Sequence, residues 1–244
     1  VLITGTNRGI GLEFVKQYAE RGATVIATAR RPTEAKELTA LASRYPNVTI
    51  EALDVTDVAA IEALAKKYQG KPIDILINNA GRSIRRSIEL SFDRFHDFER
   101  TMQLNYFGSL RLIMQSLPGM IAKRRGHIIN ISSIGVLASS PRFSAYVASK
   151  AALDAFSHCA QGELSGKGIS FTTINMPLVK TPMIAPTKMY DSVPTLSPEE
   201  AADLIVKAII DKPSRVATRL GVFAGVVHAV FPKAYEVVMS TAFE

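Results

Sequence analysis

Val1-Leu2-Ile3-Thr4-Gly5-Thr6-Asn7-Arg8-Gly9-Ile10-Gly11 opens the chain and decides the fold. A short apolar run breaks into a turn with three glycines, and a helical apolar period begins at once, over about 10 to 21. The first amides of a helix have no intrahelical partner, and the helix dipole places partial positive charge on them. A turn without side chains lets an anion approach those amides closely. The spacing is GxxxGxG rather than GxGxxG, but its place between first strand and first helix predicts a pyrophosphate cradle. Gly5, Thr6, Asn7, Arg8, Gly9, Ile10 and Gly11 are therefore candidate dinucleotide-binding residues.

The same alternation continues downstream. Apolar strand runs fall at 1 to 4, 23 to 28, 48 to 53, 73 to 77, 126 to 131 and 168 to 175. Helical patterns fall between them at about 34 to 45, 57 to 69, 91 to 123 with a break near Gly108, and 144 to 165. Near-continuous apolar strands separated by helices imply an α/β fold, a Rossmann-type doubly wound parallel sheet covered on both faces. The rhythm changes after Asn175. Residues 176 to 198 hold five of the 12 prolines and three of the 7 methionines, which reads as a mobile substrate lid or, more plainly, as an ordered connector. Ser197-Pro198-Glu199-Glu200 then has the signature of a helix start. The last segment, about 220 to 243, is apolar nearly all round yet too short to cross a bilayer, and suits a pocket wall, a subunit contact or a membrane surface.

At 244 residues, 47% hydrophobic and 21% charged, the chain can bury a full core as a single domain over 1–244. A single cysteine, Cys159, excludes a disulfide framework and reads as buried filler, while four dispersed histidines give no metal site. With no run of eighteen apolar residues and no basic leader, a cytoplasmic location is expected. The chain starts inside a strand without Met, as part of a longer polypeptide would. A formal charge of +7 suits nucleic acid, an anionic membrane or a polyanionic small molecule. Trp is absent and no basic patch is interleaved with aromatics, so nucleic acid is not the expected partner.

The second strand ends Ala27-Thr28-Ala29-Arg30-Arg31, without the acid that a ribose 2′-hydroxyl would take as partner. Arg30, together with Arg8, fits a 2′-phosphate instead, so NADP(H) is expected over NAD(H), with Arg31 the weaker candidate. Asp54 after the third strand can accept from an adenine amino group or cap the next helix. Tyr146 and Lys150, four residues apart in a helical pattern, share one face. Bringing a phenol from about 10 to about 7 takes about 4 kcal/mol of electrostatic assistance, which a lysine ammonium and a cationic nicotinamide could provide. Ser133 ends the strand at 126 to 131, at the carboxyl edge where open α/β sheets bind ligands. There it can hold a carbonyl oxygen beside the phenol, while Ser132 is expected to satisfy loop amides.

Together these residues resemble the short-chain dehydrogenase/reductase family over about 1 to 183. The motifs are the glycine loop, Asn78-Asn79-Ala80-Gly81, Asn105, Ser133, and Tyr146 with Lys150. The resemblance implies Tyr146 as general acid/base, Ser133 as the residue that orients the substrate oxygen, and Lys150 as the grip on the nicotinamide ribose. Asn105, by itself an ordinary helix-kink residue, would hold a proton-relay water. Val55, Asn79, Ala80, Gly81, Val179 and Thr181 would flank the cofactor. Met176-Pro177 stands where the family usually has Pro-Gly, which alters the backbone beside the carboxamide. Homodimers or homotetramers are implied as well. Gly81 to Arg86, His96 to Gly108 and Met176 to Thr187 are further similar to bacterial fatty acyl-CoA reductases, some of which carry a second reductase domain. The expected activity is NADPH-dependent reduction of a hydrophobic aldehyde, ketone or acyl-CoA. The alternative is a non-catalytic NADP-binding regulatory or scaffold domain of a larger reductase. Arg82, Arg85 and Arg86 read either as a solvated face or as partners for thioester phosphates.

Overall fold

Leu2 and Ile3, Leu76 and Ile77, and Ile128 and Ile129 are neighbours in sequence whose side chains leave opposite faces of a strand, and all six are buried. That pattern requires cover on both sides, and the computed structural model of residues 1–71, 73–185, 187, 190 and 193–243 provides it. Seven parallel strands run in the order β3-β2-β1-β4-β5-β6-β7. They are β1 Leu2–Ile3, β2 Val25–Ala29, β3 Val48–Ala52, β4 Ile75–Asn78, β5 Gly126–Ser133, β6 Ile169–Met176 and β7 Arg215–Ala217.

On one face α1 (Gly9–Glu20), α2 (Lys36–Arg44) and α8 (Pro198–Asp211) bury Phe14, Leu38 and Ile205 against Ile3, Ile77 and Ile129. On the other, α3 (Val58–Lys67), α5 (Ser109–Ala122) and α7 (Ser144–Leu164) bury Ile61, Ile113 and Leu153 against Leu2, Leu76 and Ile128. Each fully buried side chain of this size contributes about 1.5–3 kcal/mol of transfer free energy. The chain winds outward from β1 to β3 and resumes at β4 on the other side of β1, so a crevice opens between the carboxyl ends of β1 and β4.

The helix expected over 91 to 123 is three pieces: α4 (Phe95–Met102), a π-helical turn over Gln103–Gly108, and α5. Gly108 marks the junction because a β-carbon there would stand 2.5 Å from the Val55 carbonyl oxygen. Lys123 is the C-cap of α5, but Arg124 reaches the Gly166 carbonyl (2.9 Å) and Arg125 pairs with Asp74 (2.8 Å).

Two elements have no counterpart in the sequence reading. The first is α6 (Ile134–Ala138), directly after β5, and the second is the edge strand β7. Arg215 of β7 donates to Asn175 Oδ1 (2.7 Å) and Asp154 Oδ2 (2.9 Å), and Asn175 Nδ2 donates to the Ser133 carbonyl (3.1 Å).

The apolar segment at 220 to 243 forms a helical hairpin, α9 (Arg219–Val230) and α10 (Pro232–Phe243). Its inner side braces α6: Gly221 lies against Ile134, and Tyr235 donates to the Ala138 carbonyl (2.7 Å). Leu220, Phe223 and Phe231 on its outer side are exposed. Among the described residues no helix is long and apolar enough to cross a membrane. Of the lid segment, Pro186, Lys188, Met189, Asp191 and Ser192 lie outside the described residues.

Candidate active site

The glycine turn is locked to the neighbouring strand end. Thr4 Oγ1 accepts from the amides of Asn79 (3.0 Å) and Ala80 (2.9 Å), and Asn79 Nδ2 donates to the carbonyls of Thr4 (2.9 Å) and Gly5 (3.0 Å). Gly5 sits at φ +69, and a β-carbon on Gly11 would collide with the Gly5 carbonyl oxygen. Arg8 is the N-cap of α1 and makes no side-chain capping bond, so the first amides of the helix stay available to an anion.

A cleft of about 570 Å³ lies over this turn, lined by Gly5, Asn7, Arg8, Gly9, Ile10, Gly11, Arg30, Asp54, Val55, Ala80 and Gly81. Thr6 is the exception in the expected set. It is fully buried, and its amide and hydroxyl both donate to the Thr28 carbonyl (3.0 Å each), so it ties the loop to β2 and does not line the cleft. Arg31 pairs with Glu34 (3.3 Å), whereas Arg30 has no ion-pair partner among the described residues. Asp54 Oδ1 accepts from the amide (2.9 Å) and hydroxyl (2.7 Å) of Thr56. The helix-capping role belongs to Asp57, which accepts from the Ala60 amide (3.2 Å).

A second cavity of about 660 Å³ adjoins the first and shares Ile10, Asn79, Gly81, Thr181 and Met183 with it. Tyr146 and Lys150 line it, one turn apart on α7. Lys150 is buried, its Nζ donates to the Ile131 carbonyl (2.7 Å), and burial lowers its ammonium to about 8. Gly81 makes room for it, since a β-carbon there would stand 3.3 Å from Nζ.

Asn105 sits fully buried in the π-helical turn, an irregularity common at functional sites. Its Nδ2 donates to the Arg82 carbonyl (2.9 Å) and Ser149 Oγ (2.9 Å), and its Oδ1 accepts from the Arg82 amide (2.8 Å). Ser149 Oγ donates in turn to the Tyr146 carbonyl (2.7 Å). Asn105 thus joins the Gly81–Arg82 turn to the helix that carries the phenol.

Two expectations are corrected here. Ser133, not Ser132, satisfies a loop amide: its Oγ accepts from Gly135 (3.1 Å) and caps α6 while also bonding the Tyr146 hydroxyl. Ser132 Oγ is buried without a partner among the described residues. The phenol is not acidified by the protein alone. Burial raises the pKa of Tyr146, the Ser133 hydrogen bond opposes that, and Tyr190 adds to it. The ammonium of Lys150 is engaged on a carbonyl instead.

Val179 is buried and bridges to Leu196, and Thr181 approaches Gly9 at the junction of the cavities. Met176, Pro177 and Leu178 line the second cavity, as do Phe143 and Tyr190, whose rings stack at 6.4 Å. The sequence reading missed the last two; each is an unremarkable aromatic until the lid folds back over α7. Cys159, expected to be buried, is exposed.

Comparisons with known proteins agree with this geometry. A family model described as short chain dehydrogenase matches residues 1–190. A fatty acyl-CoA reductase of Acinetobacter baylyi is 55% identical over 245 residues, covering 99% of this chain and 83% of that protein. A short-chain dehydrogenase of Streptomyces avermitilis superposes with a TM-score of 0.84 at 29% identity, covering 99% of this chain and 96% of the other. NADPH-bound carbonyl reductase from chicken fatty liver superposes with a TM-score of 0.76 at 28% identity, covering 87% and 91%. With its sheet order, its locked glycine turn and its Tyr146–Lys150 helix face, the chain belongs to the short chain dehydrogenase family and is an NAD(P)-dependent oxidoreductase.

Proposed function

We propose that the chain reduces the carbonyl of a long hydrophobic substrate, a fatty acyl-CoA foremost, with NADPH as reductant. The observation that carries this reading is the continuity of the two cavities. An anion-ready cleft, with Arg30 lacking an ion-pair partner among the described residues, runs into an apolar cavity holding Tyr146, Ser133 and Lys150. The names of the Acinetobacter relative and of the NADPH-bound carbonyl reductase support the same substrate class and cofactor.

NADPH held over the glycine turn by the cleft of Gly5, Asn7 to Gly11 and Arg30 would supply a hydride for the carbonyl carbon. The protein's part is proton management and positioning. Because burial keeps the Tyr146 phenol protonated, it is a proton donor held at the oxygen that gains charge. Ser133 holds that oxygen alongside it, and Lys150 keeps a positive charge near the phenol as its proton leaves. With a thioester, hydride and proton addition gives a hemithioacetal, and cleavage of its C–S bond releases aldehyde and thiol. Phe143, Val147, Met176, Leu178 and Ile184 line the space for the chain.

Tyr146→Phe keeps the ring and removes the proton. It is expected to bind NADPH as the parent does, by fluorescence titration, while steady-state NADPH oxidation with dodecanoyl-CoA or dodecanal falls about a hundredfold or more. Turnover at the parent's rate would overturn the mechanism.

A further inference from the structure

We propose that Arg82 and Arg85 form an anion-binding mouth on the Tyr146 cavity that seats the phosphates of a coenzyme A thioester. This rests on the reading above, that the cavity receives a thioester, and names the residues that recognise its non-reacting end.

Three observations converge on it. Among the described residues that line the cavity there is no Asp or Glu, and the cations are Arg82, Arg85 and Lys150. Lys150 is engaged on the Ile131 carbonyl, which leaves the two arginines as the free positive charge among the described lining residues. The adjacent Arg86 is different: it pairs with buried Asp97 (3.4 Å), which also takes Arg94 (3.1 Å) and Arg100. That one carboxylate is crowded with cations, and neither the Arg82 nor the Arg85 guanidinium has a partner among the described residues. The basic triplet of the sequence is thereby divided, one arginine structural and two facing the cavity.

The backbone carrying the pair is held on both sides. Arg82 is clamped through its amide (2.8 Å) and carbonyl (2.9 Å) by Asn105, and the Arg86 amide donates to the Arg142 carbonyl (2.6 Å). Arg85 acts electrostatically on Tyr190, which places it near the lid wall of the cavity. Two like charges that share a cavity without a counter-ion among the described residues favour an anionic ligand. Guanidinium forks match phosphate oxygens, and a neutral aldehyde or ketone has no use for them.

The test compares equilibrium binding of dodecanoyl-CoA with that of dodecanoyl-pantetheine, which carries the same acyl thioester without phosphates. Calorimetry at low and high salt is run on the parent chain, on Arg85→Gln and on Arg82→Gln/Arg85→Gln. The parent is expected to prefer the CoA thioester by about tenfold or more at low salt, with the preference shrinking as salt rises. The double variant is expected to lose most of that preference while its affinity for the pantetheine thioester stays close to the parent's. Equal affinity of the parent for both ligands would overturn the proposal, and so would a preference that survives the double substitution. NADPH oxidation is measured alongside. Phosphate-dependent binding without reduction of either thioester would refute the proposed activity and leave the anion-binding mouth standing.

Discussion

Arg30 and Arg31 are adjacent, yet among the described residues only Arg31 has a carboxylate, Glu34, to hold. If Arg30 is the 2′-phosphate contact, Arg30→Ala should raise the Kd for NADPH about tenfold or more and leave NADH within about twofold, measured by fluorescence titration. Loss of both affinities together would assign Arg30 to the fold instead. The same scale shows where a sequence stops being legible. Tyr146 and Lys150 could be paired because their four-residue spacing puts them on one helix face, whereas Asn105, by itself an ordinary helix-kink residue, was singled out only through the family resemblance. Which of Ser132 and Ser133 faces an amide depends on where β5 ends and α6 begins, and a five-residue helix leaves no periodic trace. The electrostatics of the phenol were likewise beyond the sequence: the burial that raises the pKa of Tyr146, and the Ile131 carbonyl nineteen positions away that holds the Lys150 ammonium, exist only once the chain is folded.

Among the elements, α8 is the most fully announced by its residues. Ser197 Oγ accepts from the Glu200 amide (3.2 Å) and Glu200 Oε2 accepts from the Ser197 amide (2.7 Å), a reciprocal cap with Pro198 following. Ser197→Ala is expected to cost about 1 kcal/mol, read as a lowered urea midpoint at unchanged slope. No change in midpoint would show that burial of Ala201 and Ile205 alone holds the helix. Strands β1, β2, β4, β5 and β6 were legible because both of their faces are largely buried, whereas the edge strand β3 buries only Val48. Strand β7 was not legible: Arg215-Val216-Ala217 is three residues long and half-buried, and its pairing to β6 is set by tertiary contacts. The hairpin of α9 and α10 was visible only as excess apolarity, since α9 is apolar around its whole circumference and shows no periodic face to read.

For the whole molecule, one consequential buried ionisable group away from the two cavities is His127. It bonds Thr172 Oγ1 through Nε2 (2.8 Å) between β5 and β6, and burial lowers its pKa from 6.5 to about 4. The unfolded chain therefore binds a proton near 6.5 that the folded chain refuses until about 4, so stability falls as pH drops through that window. The loss amounts to about 3 kcal/mol at its limit, and His127→Gln should flatten the stability–pH curve between those values by chemical denaturation. A curve of unchanged shape would assign the acid sensitivity to other groups. Distance from the chemistry is also no measure of dispensability in this architecture. The edge strand β7 holds the backbone of Ser133 through Arg215 and Asn175, so the sheet's margin braces a residue of the proposed site. A truncation that stops short of β7 would leave most of the apolar interior assembled around a serine that has lost its alignment.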